Sequence, residues 1–277
     1  MKINIKILGI IALTSLILSG CSSGNAKGTK DEVVTLGVVG ANNEVWESVQ
    51  ERLKQEKIDL QLVEFSDYTQ PNAALAEKEI DLNSFQHQIF LDNYNQEHQT
   101  ELVSIGNTVS APLGIYSSKI KAVKELNEGA EVAIPNDTTN GGRALLLLQS
   151  AGLIKVNPEK KQTPTVSDIT ENNLKLQITE LDASQTARAL QDLDASVINS
   201  GMAVDAGFIP TKDAIFLEPV NETSKPYVNI IVARKEDATN KTYNKIVDTY
   251  QQEKTKKVIE ETSKGSSIPA WETFGRK

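Results

Sequence analysis

The chain has 277 residues, a length that suits two lobes better than one compact core. Its 39% hydrophobic and 24% charged residues are typical of a globular protein and exclude a disordered one. The net charge of −8 argues against a nucleic-acid-binding protein, because such a protein needs a basic face.

The first twenty residues predict a lipoprotein signal peptide. Lys2 and Lys6 give a positive start, and the uncharged run "ILGIIALTSLIL" that follows is too short to span a bilayer. "LSGC" then places two small residues before Cys21, the pattern at which lipoproteins are cleaved and lipidated. We expect residues 1–20 to be removed and a lipid on Cys21 to anchor the protein outside the cytoplasm. The alternative is an uncleaved anchor with an incidental cysteine.

The segment after Cys21 predicts a tether followed by a folded lobe. Residues 21–32 are small and polar, as flexible linkers are. "VVTLGVVG" and "DLQLVEF" predict buried strands, and Val45, Val49 and Leu53 recur every four residues on one face of a helix between them. Pro71 opens a second helix. This alternation of strands and helices predicts a parallel α/β lobe.

The middle of the chain repeats the alternation. "AEVAIPND" predicts a strand, and "NGGRALLLLQSAG" predicts a helix that follows a glycine turn and ends at Gly152. "LKLQITEL", "ASVINSG" and "YVNIIVAR" predict strands, and "SQTARALQDL" predicts a further helix. Ile246 and Tyr250 fall in one or two terminal helices.

Two segments, 110–117 and 225–234, are predicted to connect two lobes. Lobe 1 would then comprise residues 33–112 and 231–277, and lobe 2 residues 113–230. In such an arrangement a ligand binds between the lobes, outside the carboxyl ends of the strands.

Signs of catalysis are missing from the sequence. It contains no phosphate loop and no glycine-rich dinucleotide turn. Its only cysteine is Cys21, so it has no internal disulfide, and its two histidines are too far apart for a common zinc motif. Asp192 and Asp194 could bind calcium, but aspartates in a helix-to-strand turn usually cap nearby backbone. We expect a protein that is not an enzyme and has no metal or cofactor.

Three polar residues are candidates for holding a ligand. Arg143 starts an apolar helix, where backbone N–H groups and the helix dipole favour an anion, and its planar fork suits a carboxylate. The alternative for Arg143 is a salt bridge to an acidic side chain of the protein. Asn199 ends one predicted strand and Asn229 interrupts another. Each buried amide must be satisfied, either inside the protein or by a ligand.

An aromatic group supplies the candidate apolar wall. Tyr68 follows a predicted strand, and Phe85, His87 and Phe90 lie in "DLNSFQHQIFL". Aromatic residues at such spacing are more often core, and a buried histidine is often structural, so both interpretations stay open for these four residues.

Five long motifs, in order, resemble the NlpA lipoprotein family, the methionine-binding lipoproteins of bacterial ABC importers. They are "FSDYTQPNAALAEKEIDLNSFQHQIFL", "APLGIYSSKIK", "IPNDTTNGGRALLLLQSAGLI", "DASQTARAL" and "PYVNIIV". The resemblance runs from about residue 33 to the C-terminus, behind the lipidation motif. It implies an α/β fold of the two-lobe periplasmic-binding-protein type (type II), with the ligand cleft between the lobes.

The resemblance also implies roles for the candidate residues. Arg143 would bind a ligand carboxylate, and Asn199 and Asn229 would hold the amino-acid head group. Tyr68, Phe85 and His87, with Phe90 beside them, would line the slot for a thioether. Phe90 stands where the family often has tyrosine, so a hydroxyl near the ligand is missing, and Ala187 replaces a proline.

We therefore expect a monomeric, lipid-anchored receptor that captures methionine, as the L- or D-isomer or within a dipeptide. It would deliver this ligand to an ABC importer permease with its ATPase. The alternative is a surface adhesin or interaction lipoprotein that keeps the fold without transport.

Overall fold

The structure, a computed structural model, describes residues 31–277. The predicted signal peptide, Cys21 and most of the predicted tether therefore lie outside the described residues. Among residues 31–277, no helix combines the length and the apolar character that crossing a membrane requires.

The strands, in chain order, are β1 (Glu32–Val39), β2 (Ile58–Phe65), β3 (Leu82–Asn83), β4 (Leu102–Ser110), β5 (Gly114–Tyr116), β6 (Glu131–Pro135), β7 (Lys155–Val156), β8 (Ile169–Glu171), β9 (Gln177–Leu181), β10 (Ala195–Ile198), β11 (Phe216–Leu217), β12 (Val228–Arg234) and β13 (Ile268–Pro269). The α-helices are α1 (Glu44–Lys54), α2 (Pro71–Ala76), α3 (Gln88–His98), α4 (Thr138–Ser150), α5 (Ser200–Asp205), α6 (Pro210–Asp213), α7 (Lys241–Tyr250), α8 (Glu253–Thr262) and α9 (Ala270–Phe274).

Two sheets divide the fold. The first has the order β13-β4-β12-β3-β1-β2 and the second the order β11-β5-β10-β6-β9, while β7 and β8 form a separate pair. Strand β1 is parallel to β2 and β3, and β6 is parallel to β9 and β10. We call the first sheet with its helices lobe 1 and the second lobe 2. The predicted two-lobe α/β fold is confirmed.

Each lobe has its own hydrophobic core. In lobe 1, Val49 and Leu53 of α1 lie in one buried cluster with Ile246 of α7, as the four-residue spacing in α1 predicts. In lobe 2, Leu145 and Leu148 of α4 are buried in a separate cluster beneath the second sheet. Each of these two clusters contains residues of one lobe only, so a hinge motion between the lobes would leave both clusters intact.

The chain passes between the sheets twice. The first passage, 111–113, lies within the predicted segment 110–117. The second passage is 218–227, earlier than the predicted 225–234, because 228–234 is strand β12 of the first sheet. That β-branched run pairs with β4 from Val228 opposite Ser110 to Arg234 opposite Leu102. The lobe boundaries at 112/113 and 230/231 stay a prediction.

The helix predicted for "SQTARALQDL" is wrong. The chain there forms two short 3₁₀ turns, Ala183–Gln185 and Arg188–Gln191. The Asp182 carboxylate accepts the Ser184 N–H at 2.9 Å, and the Thr186 hydroxyl donates to the Ala183 carbonyl at 2.7 Å. These local side-chain bonds compete with a continuous helical ladder.

Candidate functional site

A cavity between the lobes brings together every residue predicted to hold a ligand. The cavity is narrow, with a volume of about 40 Å³. Its lining includes Tyr68, Phe85, His87, Phe90, Arg143, Asn199 and Asn229. Their contact with a ligand stays a prediction.

The ends of strands place these residues. Tyr68 lies in the loop after β2, Phe85 follows β3, and Asn199 follows β10 as the residue that precedes α5. Asn229 lies in β12 opposite His87, at a point where the register between β12 and β4 shifts. The carboxyl ends of parallel strands from both lobes therefore face one crevice, where ligands bind in open α/β sheets.

The start of helix α4 differs from the sequence prediction. Asp137 caps the helix, and its carboxylate accepts the backbone N–H groups of Thr139 at 3.2 Å and Asn140 at 2.9 Å. Arg143 consequently lies in the second turn, and the N–H groups that we expected to face an anion already bind Asp137. The interpretation of the helix N-terminus as part of a ligand site is wrong.

Gly141 and Gly142 lie inside α4 and do not form the predicted turn. A Cβ atom on Gly141 would lie 2.8 Å from the carbonyl oxygen of Pro135, and one on Gly142 would lie 2.6 Å from that of Gln162. The glycines are thus explained by close backbone approach on two sides of the helix.

The guanidinium of Arg143 is held on one edge. Its Nε and Nη2 donate to the two carboxylate oxygens of Glu218 at 3.0 and 2.5 Å, and Nη2 also donates to the Ala111 carbonyl at 3.0 Å. Its face lies 4.4 Å from the ring centroid of Tyr227. Among residues 31–277, Nη1 has no hydrogen-bond partner. The salt-bridge alternative is therefore correct, and it leaves one edge of the guanidinium available.

Asn199 offers a buried acceptor. Its Nδ2 donates to Asn140 Oδ1 at 2.8 Å, and its own Oδ1 is buried without a hydrogen-bond partner in the described part of the chain. An unsatisfied buried amide oxygen is unfavourable by about 1–3 kcal/mol. A ligand N–H group in the cavity would remove this penalty.

His87 is neutral and its tautomer is fixed by its neighbours. Nδ1 accepts the Phe90 N–H at 3.1 Å and so caps α3, which puts the proton on Nε2, and Nε2 donates to Asn140 Oδ1 at 3.3 Å. Burial lowers the pKa of His87 to about 3, with a further lowering by the charge of Arg143. The imidazole therefore presents an uncharged ring to the cavity.

The aromatic side chains form one contiguous wall. The ring centroids of Tyr68 and Phe85 are 5.8 Å apart, and those of Phe85 and Phe90 are 5.7 Å apart in an edge-to-face arrangement. His87 packs edge-to-face on Phe90 at 6.2 Å and on Tyr227 at 5.4 Å. The four predicted aromatic residues thus contact each other and line the cavity together.

Sequence reasoning missed Asn140 and Glu218. Asn140 connects the lobes, because its Oδ1 accepts from His87 in lobe 1 and from Asn199 in lobe 2. Its Nδ2 donates to both oxygens of Asp137. A signal for Asn140 was available, since it lies three residues before Arg143 and so on the same face of the helix. No signal in the sequence pairs Glu218 with Arg143.

The aspartate turn before β10 does structural work. Asp194 accepts the Glu131 N–H at 2.9 Å and pairs with Lys119 at 2.9 Å. The backbone bond from Glu131, followed by the contact with Lys119, lowers the pKa of Asp194. The local capping interpretation is wrong for Asp194, because its carboxylate binds Glu131 and Lys119, which lie 63 and 75 residues away in the chain.

Known proteins resemble this chain over nearly all of its length. The NlpA lipoprotein family matches residues 34–271. A "probable D-methionine-binding lipoprotein MetQ" of Vibrio cholerae is 41% identical over 276 residues, 98% of this chain and 100% of the relative. The "D-methionine-binding lipoprotein MetQ" of Escherichia coli is 39% identical over 260 residues, 93% of this chain and 94% of the relative.

Solved structures agree with this assignment. A nutrient-binding protein from Burkholderia cenocepacia bound to methionine is 43% identical with a TM-score of 0.82, covering 86% of this chain and 99% of that one. The substrate-binding protein of a methionine transporter from Streptococcus pneumoniae is 41% identical with a TM-score of 0.82, covering 86% of this chain and 96% of that one. The resemblance seen in the sequence motifs is confirmed, and the chain belongs to the NlpA lipoprotein family.

Proposed function

We propose that this protein is a solute-binding lipoprotein that captures methionine, or a methionine-containing dipeptide, and delivers it to an ABC importer. One observation carries the proposal: the interlobe cavity combines an available guanidinium edge, an unsatisfied amide oxygen and an aromatic wall. A free apolar amino acid offers the matching carboxylate, ammonium group and side chain.

Each lining residue takes a role in this proposal. Nη1 of Arg143 binds the ligand carboxylate through a charge-assisted hydrogen bond. Oδ1 of Asn199 accepts from the ligand ammonium, and Asn229 approaches the same head group from β12. These contacts use polar atoms that the protein itself leaves available.

The aromatic wall takes the ligand side chain. Tyr68, Phe85, neutral His87 and Phe90 surround the thioether, and sulfur–aromatic contacts add modestly to its burial. Relatives named for D-methionine binding, and a solved relative bound to methionine, support methionine over other apolar amino acids.

The proposal includes the membrane and the importer. Residues 1–20 are removed, a lipid on Cys21 holds the protein at the membrane, and the folded part faces away from the cytoplasm. The bound amino acid passes to a permease driven by its ATPase. The protein acts as a monomer, binds no nucleic acid and carries out no chemical step.

A ligand panel tests the proposal. The chain lacking residues 1–21 would be freed of ligand and mixed with L-methionine, D-methionine, a methionine-containing dipeptide, L-norleucine, L-glutamine or L-histidine. A ligand at about 1,000 times its dissociation constant adds about 4 kcal/mol to the free energy of unfolding, a melting shift on the order of ten degrees. We expect that shift with a methionine compound. No shift with any compound would favour the interaction lipoprotein instead.

A further inference from the structure

Glu218 contacts Arg143 but does not belong to the lining of the ligand cavity. Both residues line a second depression. The side chains of the pair are only 6% and 17% exposed, for Arg143 and Glu218 respectively. A carboxylate held this far from bulk water fixes the orientation of its partner closely.

Glu218 also joins the two segments that connect the lobes. It lies in the second passage, 218–227, and its Oε2 accepts the N–H of Leu113, in the first passage, at 3.0 Å. Its own backbone N–H donates to the Leu113 carbonyl at 2.9 Å. Arg143 adds a bond to Ala111 at 3.0 Å, also in the first passage. One ion pair therefore ties both interlobe segments to helix α4.

On the basis of the proposed function, we propose that Glu218 is a positioning residue for ligand capture. It holds Nε and Nη2 of Arg143, leaves Nη1 as the edge that meets the ligand carboxylate, and couples that edge to both interlobe segments. Engagement of the carboxylate is thereby transmitted to the segments about which the lobes move.

The test is substitution Glu218→Gln in the full lipoprotein in detergent, with methionine removed by dialysis. Glutamine keeps the shape of the side chain, but its amide nitrogen cannot accept the second guanidinium bond. Calorimetric titration would compare L-methionine with L-methioninamide, which lacks the carboxylate. We expect the substitution to lower the affinity for L-methionine by about 30-fold, the size of one lost hydrogen bond to a charged group. The affinity for L-methioninamide should fall by less than about threefold.

Two controls separate positioning from a general structural role. Glu222→Gln makes the same charge change at an exposed position in the same interlobe segment, and we expect it to alter neither affinity. In an Arg143→Gln background, adding Glu218→Gln should not lower the affinity for L-methionine further, because the partner through which Glu218 acts is gone.

The outcomes distinguish the two proposals. Equal weakening of both ligands, no weakening of either, or a full additional loss in the Arg143→Gln background would overturn the positioning role. Wild-type protein that binds L-methioninamide as tightly as L-methionine, or binds neither ligand, would instead overturn the proposed function and the role of Arg143 in it.

Discussion

The two sides of the cavity are built in different ways. On the lobe 1 side, Tyr68, Phe85 and Phe90 come from one short stretch of chain and pack against each other. On the lobe 2 side, Arg143 reaches Glu218, 75 residues away, and Asn199 reaches Asn140, 59 residues away. The aromatic side is supported locally, whereas the polar side depends on long-range hydrogen bonds.

This difference has an energetic consequence. Aromatic packing is distributed over several contacts, so losing one ring removes part of the wall and leaves the rest in place. A buried ion pair is concentrated in two groups, and removing one leaves the other charged and uncompensated. We therefore expect substitutions on the polar side to affect binding and folding together, and those on the aromatic side to affect chiefly binding.

The largest expected effect is that of Arg143→Ala. The substitution removes the carboxylate contact and also leaves Glu218 buried without its partner. We expect L-methionine affinity to fall by about 1,000-fold, or about 4 kcal/mol, with a lower melting temperature of the ligand-free protein. Titration calorimetry and thermal unfolding measure the two effects separately.

Arg188→Ala provides the matched control, because Arg188 is an exposed arginine of lobe 2 that does not line the cavity. It should leave both quantities unchanged. If Arg143→Ala lowered only the melting temperature and left the dissociation constant unchanged, the role proposed for Arg143 in binding the carboxylate would be contradicted.

A smaller effect is expected for Phe85→Ala. Phe85 is partly buried and packs on Tyr68 and Phe90, so its removal opens one part of the wall and leaves both lobe cores complete. We expect L-methionine affinity to fall by about tenfold, from lost apolar burial and lost sulfur–aromatic contact, with the melting temperature of the ligand-free protein little changed.

L-Norleucine tests the contribution of the sulfur to binding, because it replaces the thioether sulfur by a methylene. The preference for L-methionine over L-norleucine should narrow in Phe85→Ala. Phe274→Ala, which changes a phenylalanine outside the cavity lining, should keep that preference. A large drop in melting temperature for Phe85→Ala would instead assign Phe85 to the folding core.

Much of the fold could be predicted from local sequence patterns. The spacing of Val49 and Leu53 predicted α1, and the β-branched run from Val228 predicted β12. The errors arose where side chains compete with the backbone pattern. Asp182 and Thr186 form local bonds that interrupt a predicted helix. The glycines of α4 are explained by close contact with the backbone of Pro135 and Gln162, which the local pattern does not reveal.

The residues of the candidate site also differ in whether local sequence patterns could predict them. The aromatic stretch from Phe85 to Phe90 could be singled out from sequence, and the family motifs added the roles proposed for Arg143 and Asn199. Glu218 could not be found, because its partner lies 75 residues away and only the tertiary fold brings the two together. Asn140 was within reach of helical periodicity, but its bridging role depends on two lobes meeting.

The smallest expected effect lies where the two sides of the cavity meet, at His87. Its pKa is lowered to about 3 in the folded protein, chiefly by burial, against about 6.5 in an unfolded chain. Between these values the unfolded state binds one proton more, so the free energy of unfolding falls as the pH falls through this window. Between pH 6.5 and 5.5 this contributes about 1 kcal/mol. Urea unfolding at the two pH values should therefore show that the free energy of unfolding falls by about 1 kcal/mol more in wild-type protein than in His87→Gln.

The exposed His98 provides the matched control, and His98→Gln should behave as wild type. An equal loss in wild type and His87→Gln would mean that His87 takes up its proton without unfolding, and the neutral bridge to Asn140 would then not survive mild acid.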